Sequence, residues 1–533
     1  MSMVSLVPMV VLLPLLGAAV TLVLGRRARA QSVVALIALA IVMVIGIVML
    51  IVVDETAPLV MHVGGWAAPF GISLVVDRLS ALMVVVSAIV LMAVLGFSVG
   101  QGIEDGDEET PVSIYAPTYL ILATGVFNAF IAGDLFNLYV GFEILLVASY
   151  VLITLGGTEQ RIRAGVTYVV VSLVSSMLFL GSIAMVYGAV GTVNIAHIAL
   201  RMSEVDPGVQ TIIHVMLLVA FGIKAAIFPL SFWLPDSDPT APAPVTAVFA
   251  GLLTKVGVYA VIRTETLLFP GPELNDVLMI VALLTMVVGV LGAVAQADIK
   301  RMLSFTLVSH IGYMVLGVAL GTVAGTSAAI FYIVHHIVVQ TTLFLAAGLI
   351  ERQGGSTSIN HLGGLLKAAP VIAALYFIPA LNLGGIPPFS GFLGKLALFE
   401  ATAEVGTLLG YVLIGAGALV SLLTLYALMR VWNMAFWRPS ADVEGYESAL
   451  LANVYESPVT PTRTKQRTVP GLMIAATSLM VVVSVLLTVG AGPLYAIATR
   501  AGENIQGTTF YIQSVLPGGE VELDPKAVVG NGP

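Results

Sequence analysis

Long apolar runs follow one another along almost the whole chain, separated by short polar clusters. The windows fall near 4–24, 32–53, 74–98, 116–132, 134–155, 164–188, 211–233, 243–266, 274–296, 302–322, 325–349, 369–400, 408–434 and 470–494. Each approaches or exceeds the ~20 residues that an α-helix needs to cross the hydrocarbon of a bilayer. The pattern predicts an all-α integral membrane protein of about fourteen transmembrane helices. Between the second and third windows, Pro58 to Ser73 is rich in Gly and Pro and predicts a short hairpin on one membrane face. Ile195 to Met202 reads as a small amphipathic segment, 439–466 as a polar loop, and 500–533 as a polar tail without a helix signal.

Composition sharpens this picture. Of 533 residues, 59% are hydrophobic and 10% charged, with mean hydropathy +1.04. Soluble domains carry roughly 25% charged residues, so a soluble domain hosting separate chemistry is excluded. The chain has no cysteine, which removes disulfides, thiolate metal sites and cysteine nucleophiles. The net charge of −8 sits mainly in loops and tail and says little about partners. The run Leu6 to Leu24 lacks a basic leader and a small-residue cleavage site, so it reads as a retained helix. Basic residues are distributed unevenly. Loops after odd-numbered windows hold Arg26, Arg27, Arg29, Arg161, Arg163, Lys300, Arg301, Arg352, Lys367, Arg430, Arg438, Arg463, Lys465 and Arg467, whereas loops after even-numbered windows hold Arg201 and Arg263. The positive-inside rule makes the first loop cytoplasmic and places both termini outside, in a multi-pass protein of the cell inner (plasma) membrane. The acidic loop Glu104–Glu109 falls on the cytoplasmic side, where acidic residues weigh little.

Four charges interrupt the apolar runs. Glu143 lies in GDLFNLYVGFEILLVASYVLI, Lys224 in LLVAFGIKAAIFPLSFW, Lys255 in VFAGLLTKVGVYAVI and Lys395 in GGIPPFSGFLGKLALFEA. A charge at a span centre costs ~2.5–3.5 kcal/mol on an insertion scale, so four cost on the order of 10–14 kcal/mol. These groups are expected to face the protein interior, paired or hydrated. One ion pair, Glu143 with Lys224, has a bland explanation as a packing device; one acid and three lysines on four helices point to a path for protons or cations. A lysine in a low-dielectric site can release its proton near neutral pH, and a nearby carboxylate opposes that release. Histidines add to the row. His310 shares a helical face with Thr306 and Tyr313. His335 and His336 are adjacent and point roughly 100° apart, so they do not chelate one metal as an i, i+4 pair does; His336 shares its face with Tyr332 and Gln340. His62, His197, His214 and His361 lie in loops or near span ends and read as incidental. Tyr168, Ser172, Ser175 and Ser176 fall close to one face of the sixth span; helix–helix adhesion is the favoured reading, with water lining as the alternative.

Two spans carry interruptions. Pro229 follows Lys224 in the seventh, and Gly385, Pro387 and Pro388 precede Lys395 in the twelfth. Proline frees backbone carbonyls, and irregular backbone at membrane depth persists only where it is buried or lines a cavity. Paired interruptions mark the repeats and ion path of a transporter. The spacing fits two inverted five-helix repeats, at spans 4–8 (115–266) and 9–13 (274–434). They follow a three-helix segment with its hairpin (1–100) and precede a last helix (470–494) and a polar C-terminal tail (495–533). In that scheme Glu143 corresponds to His310.

The segments GDLFNLYVGFEILLVASYVLI, FGIKAAIFPLSFWLPDSDPTAPAPVTAVFAGLLTKVGVYAVIR, AQADIKRMLSFTLVSHIGYMVLG and NLGGIPPFSGFLGKLALFEA resemble the antiporter-like subunits shared by respiratory complex I, membrane-bound hydrogenases and Mrp-type multisubunit cation/proton antiporters. The likeness covers roughly 70–430; DLFNLYVGFEILLVASY and GLIER are most similar to the D-type Mrp subunits. The resemblance implies fourteen helices, broken helices 7 and 12 and a hydrated mid-membrane axis. It implies a proton path through Glu143, Lys224, Lys255, His310, His335 or His336, and Lys395. Many relatives carry lysine where this chain has Gln340. The function expected is a proton-translocating subunit of a multisubunit Na⁺/H⁺ antiporter. The alternative is a proton-pumping subunit of complex I or a hydrogenase. The expected partners are other membrane subunits, protons, Na⁺ or another monovalent cation, and the bilayer. No cofactor, no metal, no nucleic acid and no enzyme chemistry is expected, and GFLGK lacks the spacing of a phosphate-binding loop. An organic-solute symporter and a purely structural scaffold are the readings from other classes.

Overall fold

Backbone amides have no water to bond in hydrocarbon, so a spanning segment closes its hydrogen bonds on itself as a helix. The computed structural model describes residues 3–102, 112–443 and 468–516, and follows this rule throughout. The first eleven spans are α1 (Met9–Leu24), α2 (Ala28–Glu55), α3 (Arg78–Gln101), α4 (Val112–Ile131), α5 (Leu135–Thr154), α6 (Glu159–Val190), α7 (Pro207–Ala225), α8 (Ala243–Leu268), α9 (Asn275–Ala295), α10 (Ile299–Ala319) and α11 (Val323–Gly354). The twelfth window is two half-helices, α12 (Pro370–Gly384) and α13 (Ser390–Val405). Then come α14 (Leu408–Trp437) and α15 (Gly471–Val489). Among the described residues, 13 helices are long and apolar enough to cross a membrane, and the broken twelfth completes the expected fourteen. The acidic loop Glu104–Glu109 and most of the 439–466 loop lie outside the described residues.

Polar residues flanking the apolar windows set the helix starts. The carboxylates of Asp77, Asp134, Asp206 and Asp298 and the hydroxyls of Thr158, Thr322 and Thr407 accept backbone N–H groups of the first turns of α3, α5, α7, α10, α6, α11 and α14. Each cap satisfies a donor that has no partner within its helix. The expected hairpin is an antiparallel pair, Leu59–His62 with Ser73–Val76. The amphipathic segment is a short helix, Ile195–Arg201.

The sequence reading of the C-terminus needs correction. The stretch 500–533, read as a tail without helix signal, holds the end of α16 (Ala491–Gln506) and all of α17 (Thr508–Val515), and beyond 516 it lies outside the described residues. Gln506 Nε2 donates to Thr326 Oγ1 at the start of α11, Arg500 pairs with Asp54 at 2.6 Å, and Tyr511 lies beneath the Arg263 guanidinium. The segment is a strap across one membrane face. Its apolar residues alternate with polar ones because only one side is covered, which is why no hydropathy window detects it.

Arg263 also changes place. It is buried inside α8, not in a loop, and forms a two-pronged ion pair with Asp77 at 2.6 and 2.8 Å, donating also to Tyr259 and Ser80. It therefore drops out of the loop charge count, which strengthens the asymmetry. The described basic residues of the odd-numbered loops gather at one end. There Arg301 pairs with Asp236, Lys300 with Glu351, Arg430 donates to Val294 O, and Arg438 donates to Ile359 O. That end is the arginine-rich face. The strand pair and α16–α17 lie on the opposite face.

A backbone motif occurs twice, once at each face. Leu135 N–H donates to Val193 O and Ile195 N–H to Gly133 O; likewise Ile299 N–H donates to Thr357 O and Ile359 N–H to Ala297 O. The first pair ties the start of α5 to the α6–α7 loop, and the second ties the start of α10 to the α11–α12 loop.

Glycines allow the tightest crossings. A Cβ on Gly125 of α4 would lie 2.5 Å from Leu145 N of α5, and one on Gly289 of α9 would lie 2.4 Å from Ser309 N of α10. Backbones approach closely there, as small residues permit in membranes. Helices α8, α10 and α11 are enclosed by the others, while α1, α2, α14 and α15 present most of their surface outward. Gly289→Val is expected to push α9 from α10 and destabilise the fold by ~1–3 kcal/mol, read as a lower melting midpoint in detergent. Gly415→Ala, with open space at its Cβ, is expected to leave the midpoint unchanged or raise it slightly.

Candidate functional site

The first break lies at the end of α7. Ala226 adopts a left-handed conformation (φ 57°) and the chain leaves the helix before Pro229. The freed carbonyls do not stay bare: Ile223 O accepts the Trp233 indole N–H at 2.9 Å, and Gly222 O accepts Ile227 N–H. Lys224 occupies the last turn of α7, where the negative end of the helix dipole favours a cation. Its Nζ stands 5.1 Å from the Phe142 ring centre and donates to Ser176 Oγ at 3.3 Å. Ser176 in turn donates to Glu143 Oε1. Acid and lysine thus meet through one hydroxyl. Glu143 is half-buried rather than enclosed, while Lys224 is 8% exposed. A small cavity beside Lys224, with room for a water molecule, is lined by Phe142, Tyr168, Ser172, Trp233 and Leu253.

Lys255 follows a π-helical turn, Phe249–Leu253, in α8. Such a turn displaces carbonyls from the regular ladder and recurs at functional sites. The Lys255 ammonium uses one, donating to Ala250 O at 2.6 Å, with Thr254 Oγ1 at 3.2 Å. It is completely buried.

Beyond it lie the histidines, all without solvent exposure. His310 Nδ1 is 2.7 Å from Tyr332 OH, and its ring centre is 5.2 Å from that of His336. His335 points the other way, with Nδ1 2.9 Å from Ser390 Oγ at the start of α13. The adjacent pair therefore splits, His336 toward α10 and His335 toward the second break. Gln340 donates to Leu303 O at 2.8 Å. Several polar atoms of this cluster have no protein partner among the described residues: His310 Nε2, His335 Nε2, both nitrogens of His336, and Gln340 Oε1. Buried polar atoms are nearly always satisfied by protein or ordered water, so this cluster is suited to water rather than to apolar packing.

The second break lies between Gly384 and Ser390. Gly385 takes the left-handed turn (φ 79°) that only glycine adopts without penalty. Lys395 lies on α13 but reaches back to the C-terminal end of α12, donating to Leu383 O at 3.0 Å and to Ser421 Oγ at 2.8 Å. Ser421 donates onward to Gly384 O. The Lys395 ammonium also stands 5.2 Å from the Tyr313 ring centre. Both break lysines therefore meet the C-terminal end of a half-helix, one aromatic face and one serine from a neighbouring span.

All seven expected ionisable residues occur within the helix bundle. The direct Glu143–Lys224 pair of the sequence reading is replaced by a bridged one. Ser176 belongs with these groups and not with helix adhesion alone, whereas Ser175, donating to Ala220 O, fits the adhesion reading. His214, read as incidental, forms a buried contact with Glu265 at 2.6 Å and stacks on Phe269. When α5 and α10 are aligned on their caps Asp134 and Asp298, Glu143 falls opposite Leu307, about one helical turn short of His310. Ser421, Ser390, Asn382 and Asp238 went unrecognised. Serines and asparagines are common in membrane spans, and nothing in their spacing separates a ligand of Lys395 from a packing residue.

The family described as "NADH:quinone oxidoreductase/Mrp antiporter, TM" matches residues 132–424. The D-type subunit of the Na⁺/H⁺ antiporter of Alkalihalophilus pseudofirmus is 37% identical over 96% of this chain and 99% of its own length. Its counterpart in Bacillus subtilis is 35% identical over 95% and 98%. Among solved structures, a chain of the Mrp complex from Dietzia sp. superposes with a TM-score of 0.87 at 31% identity, covering 97% of this chain and 100% of that one. A chain of respiratory complex I from Thermus thermophilus shares the fold, with a TM-score of 0.70 at 22% identity over 91% of this chain and 99% of that one. Alongside the fourteen-span architecture and the charges inside it, these likenesses identify the chain as a member of the NADH:quinone oxidoreductase/Mrp antiporter transmembrane family, on the branch of the D-type subunits of Mrp Na⁺/H⁺ antiporters.

Proposed function

We propose that this chain is the proton-translocating subunit of a monovalent cation (Na⁺)/proton antiporter and works only within its hetero-oligomeric complex. The observation that carries the reading is the bridge Glu143–Ser176–Lys224, with Lys255, the histidine cluster and Lys395 following it through the bundle. Glu143, half-buried, holds the Lys224 ammonium through Ser176. When Glu143 is neutralised or drawn aside, Lys224 loses its counter-charge and sheds its proton more readily. The change of charge at Lys224 alters the proton affinity of Lys255. The proton then passes by way of His336, His310 and His335 to Lys395. Orphaned nitrogens of the histidines and the split of the adjacent pair, one ring toward α10 and one toward Ser390, support this route.

Spans 4–8 and 9–13 act in this reading as two inverted repeats. The support is the backbone motif that recurs at opposite faces, and the glycine crossings of α4 with α5 and of α9 with α10. The arginine-rich face is cytoplasmic, and the membrane is the plasma membrane.

In everted vesicles carrying the whole complex, sodium addition is expected to collapse a ΔpH, and Glu143→Ala or Lys224→Ala to abolish this without loss of assembly. Flux that requires a reductant and ignores sodium would instead favour the redox-driven alternative. Intact flux in both variants would make the charges structural. Ser176→Ala removes a hydrogen bond to a charged group, which contributes ~1.5–3 kcal/mol. It is expected to slow exchange by about tenfold or more, with Ser176→Thr retaining most of it, as initial rates of ΔpH collapse will show. Because the chain lacks cysteine, single Ser440→Cys and Ser203→Cys variants report orientation directly. In intact cells an impermeant maleimide is expected to label position 203 and not position 440.

A further inference from the structure

Most loop aspartates among the described residues have visible employment. Asp77, Asp134, Asp206 and Asp298 cap helices, and Asp236 pairs with Arg301 at the surface. Asp238 is different. It opens the turn Asp238–Thr240, between the first break and α8, and is 1% exposed. Its backbone carbonyl holds the turn, accepting the Thr246 hydroxyl at 2.8 Å. Its carboxylate contributes nothing to that turn, and Oδ2 has no hydrogen-bond partner among the described residues. A buried carboxylate oxygen without a donor is expensive, and a structural role would be filled as well by alanine or serine.

The position explains what such a group can do. Two residues earlier, Asp236 is 67% exposed with its Arg301 partner on the arginine-rich face. On the inner side, Asp238 lies within Coulombic reach of Lys255 and of Tyr168. Tyr168 lines the cavity beside Lys224. Of the other charged groups on elements around this turn, Arg161 of α6 donates to Thr240 O, Lys300 of α10 pairs with Glu351 and Arg301 pairs with Asp236, while Glu159 and Arg163 of α6 are exposed. Lys255 is the buried cation whose charge reaches Asp238.

We propose that Asp238 carries protons between the arginine-rich face and Lys255. The carboxylate takes a proton from water at that face and becomes a neutral acid. It then passes the proton to the neutral Lys255 amine, which leaves a carboxylate and an ammonium; the reverse sequence releases a proton to the same face. Burial holds the acid up at about 8, opposed by the pull of Lys255, so both forms are accessible near neutral pH. This assignment rests on the proton-relay reading, and it adds a face-side terminus that the row of span-centre charges lacks.

The test uses the assembled complex in everted vesicles, comparing Asp238→Asn, Asp238→Glu and Lys255→Ala. Asn keeps the shape and removes the exchangeable proton, so sodium-driven flux is expected to fall ~100-fold, the low end for loss of a positioned proton-transfer group. Glu is expected to restore most of it. Infrared difference spectra of the purified complex are expected to show a protonated carboxylic acid that titrates near pH 8 and is missing in Asp238→Asn. Full flux in Asp238→Asn with Lys255→Ala inactive would overturn the assignment and leave the relay standing. Full flux in both would overturn the relay itself. A loss in Asn that Glu does not restore, with the infrared band unchanged, would make Asp238 structural and also overturn the assignment. Should Asp238→Asn fail to assemble, Asp238→Ser fits the same space and carries the same comparison.

Discussion

The structure depends on one constraint: an ammonium or carboxylate at the centre of a bilayer has to be solvated by the protein. Left to lipid, each such group costs a few kcal/mol or more, and this chain places four of them inside its spans. Its helices are interrupted where that solvation is required. A regular helix keeps its carbonyls for its own ladder. The chain frees them at the end of α7, in the π-turn of α8 and between α12 and α13. Lys255 takes Ala250 O and Lys395 takes Leu383 O, while Lys224 sits at the dipole end of α7. Breaks and lysines are two aspects of one arrangement.

The same constraint separates enclosed spans from outward ones. Helices α8, α10 and α11 hold Lys255, His310, His335 and His336 and are surrounded, whereas α1, α2, α14 and α15 face outward and carry few ionisable groups near their centres. Close glycine crossings hold the hairpins α4–α5 and α9–α10. Arg263 and Asp77 show the contrasting use of buried charge. They form a two-pronged ion pair supported by Ser80 and Tyr259, in which each of the two charges has the other as its partner. The histidine cluster, among the described residues, keeps more of its nitrogens without a protein partner. A close ion pair suits a permanent joint near the strap α16–α17, and the unpartnered histidine nitrogens suit bound water.

Aromatic and hydroxyl groups refine the lysine sites. Lys224 and Lys395 each stand about 5 Å from a ring centre and each bonds a serine from another span. A ring face attracts a cation without accepting its proton, while a hydroxyl both accepts and donates. Ser176 is therefore able to connect two ionisable groups that do not touch, which a direct ion pair does not permit without moving either helix.

Hydropathy and charge spacing alone determined that the chain spans the membrane about fourteen times. They also determined that its basic loops share one parity, that Glu143, Lys224, Lys255 and Lys395 lie at span centres, and that spans 7 and 12 are broken. These are properties of single segments, written in the transfer cost of each residue. Tertiary structure decided what each segment does not contain. It placed Ser176 between Glu143 and Lys224, turned His335 from His336, moved Arg263 from loop to core, and folded Ala491–Val515 into a strap. It also left Asp238 Oδ2 buried without a hydrogen-bond partner among the described residues. Each of these depends on which helix lies next to which, and one-dimensional hydropathy carries no record of neighbours. A serine that bridges two charges and a serine that fills a gap have the same transfer energy, and only the packing tells them apart.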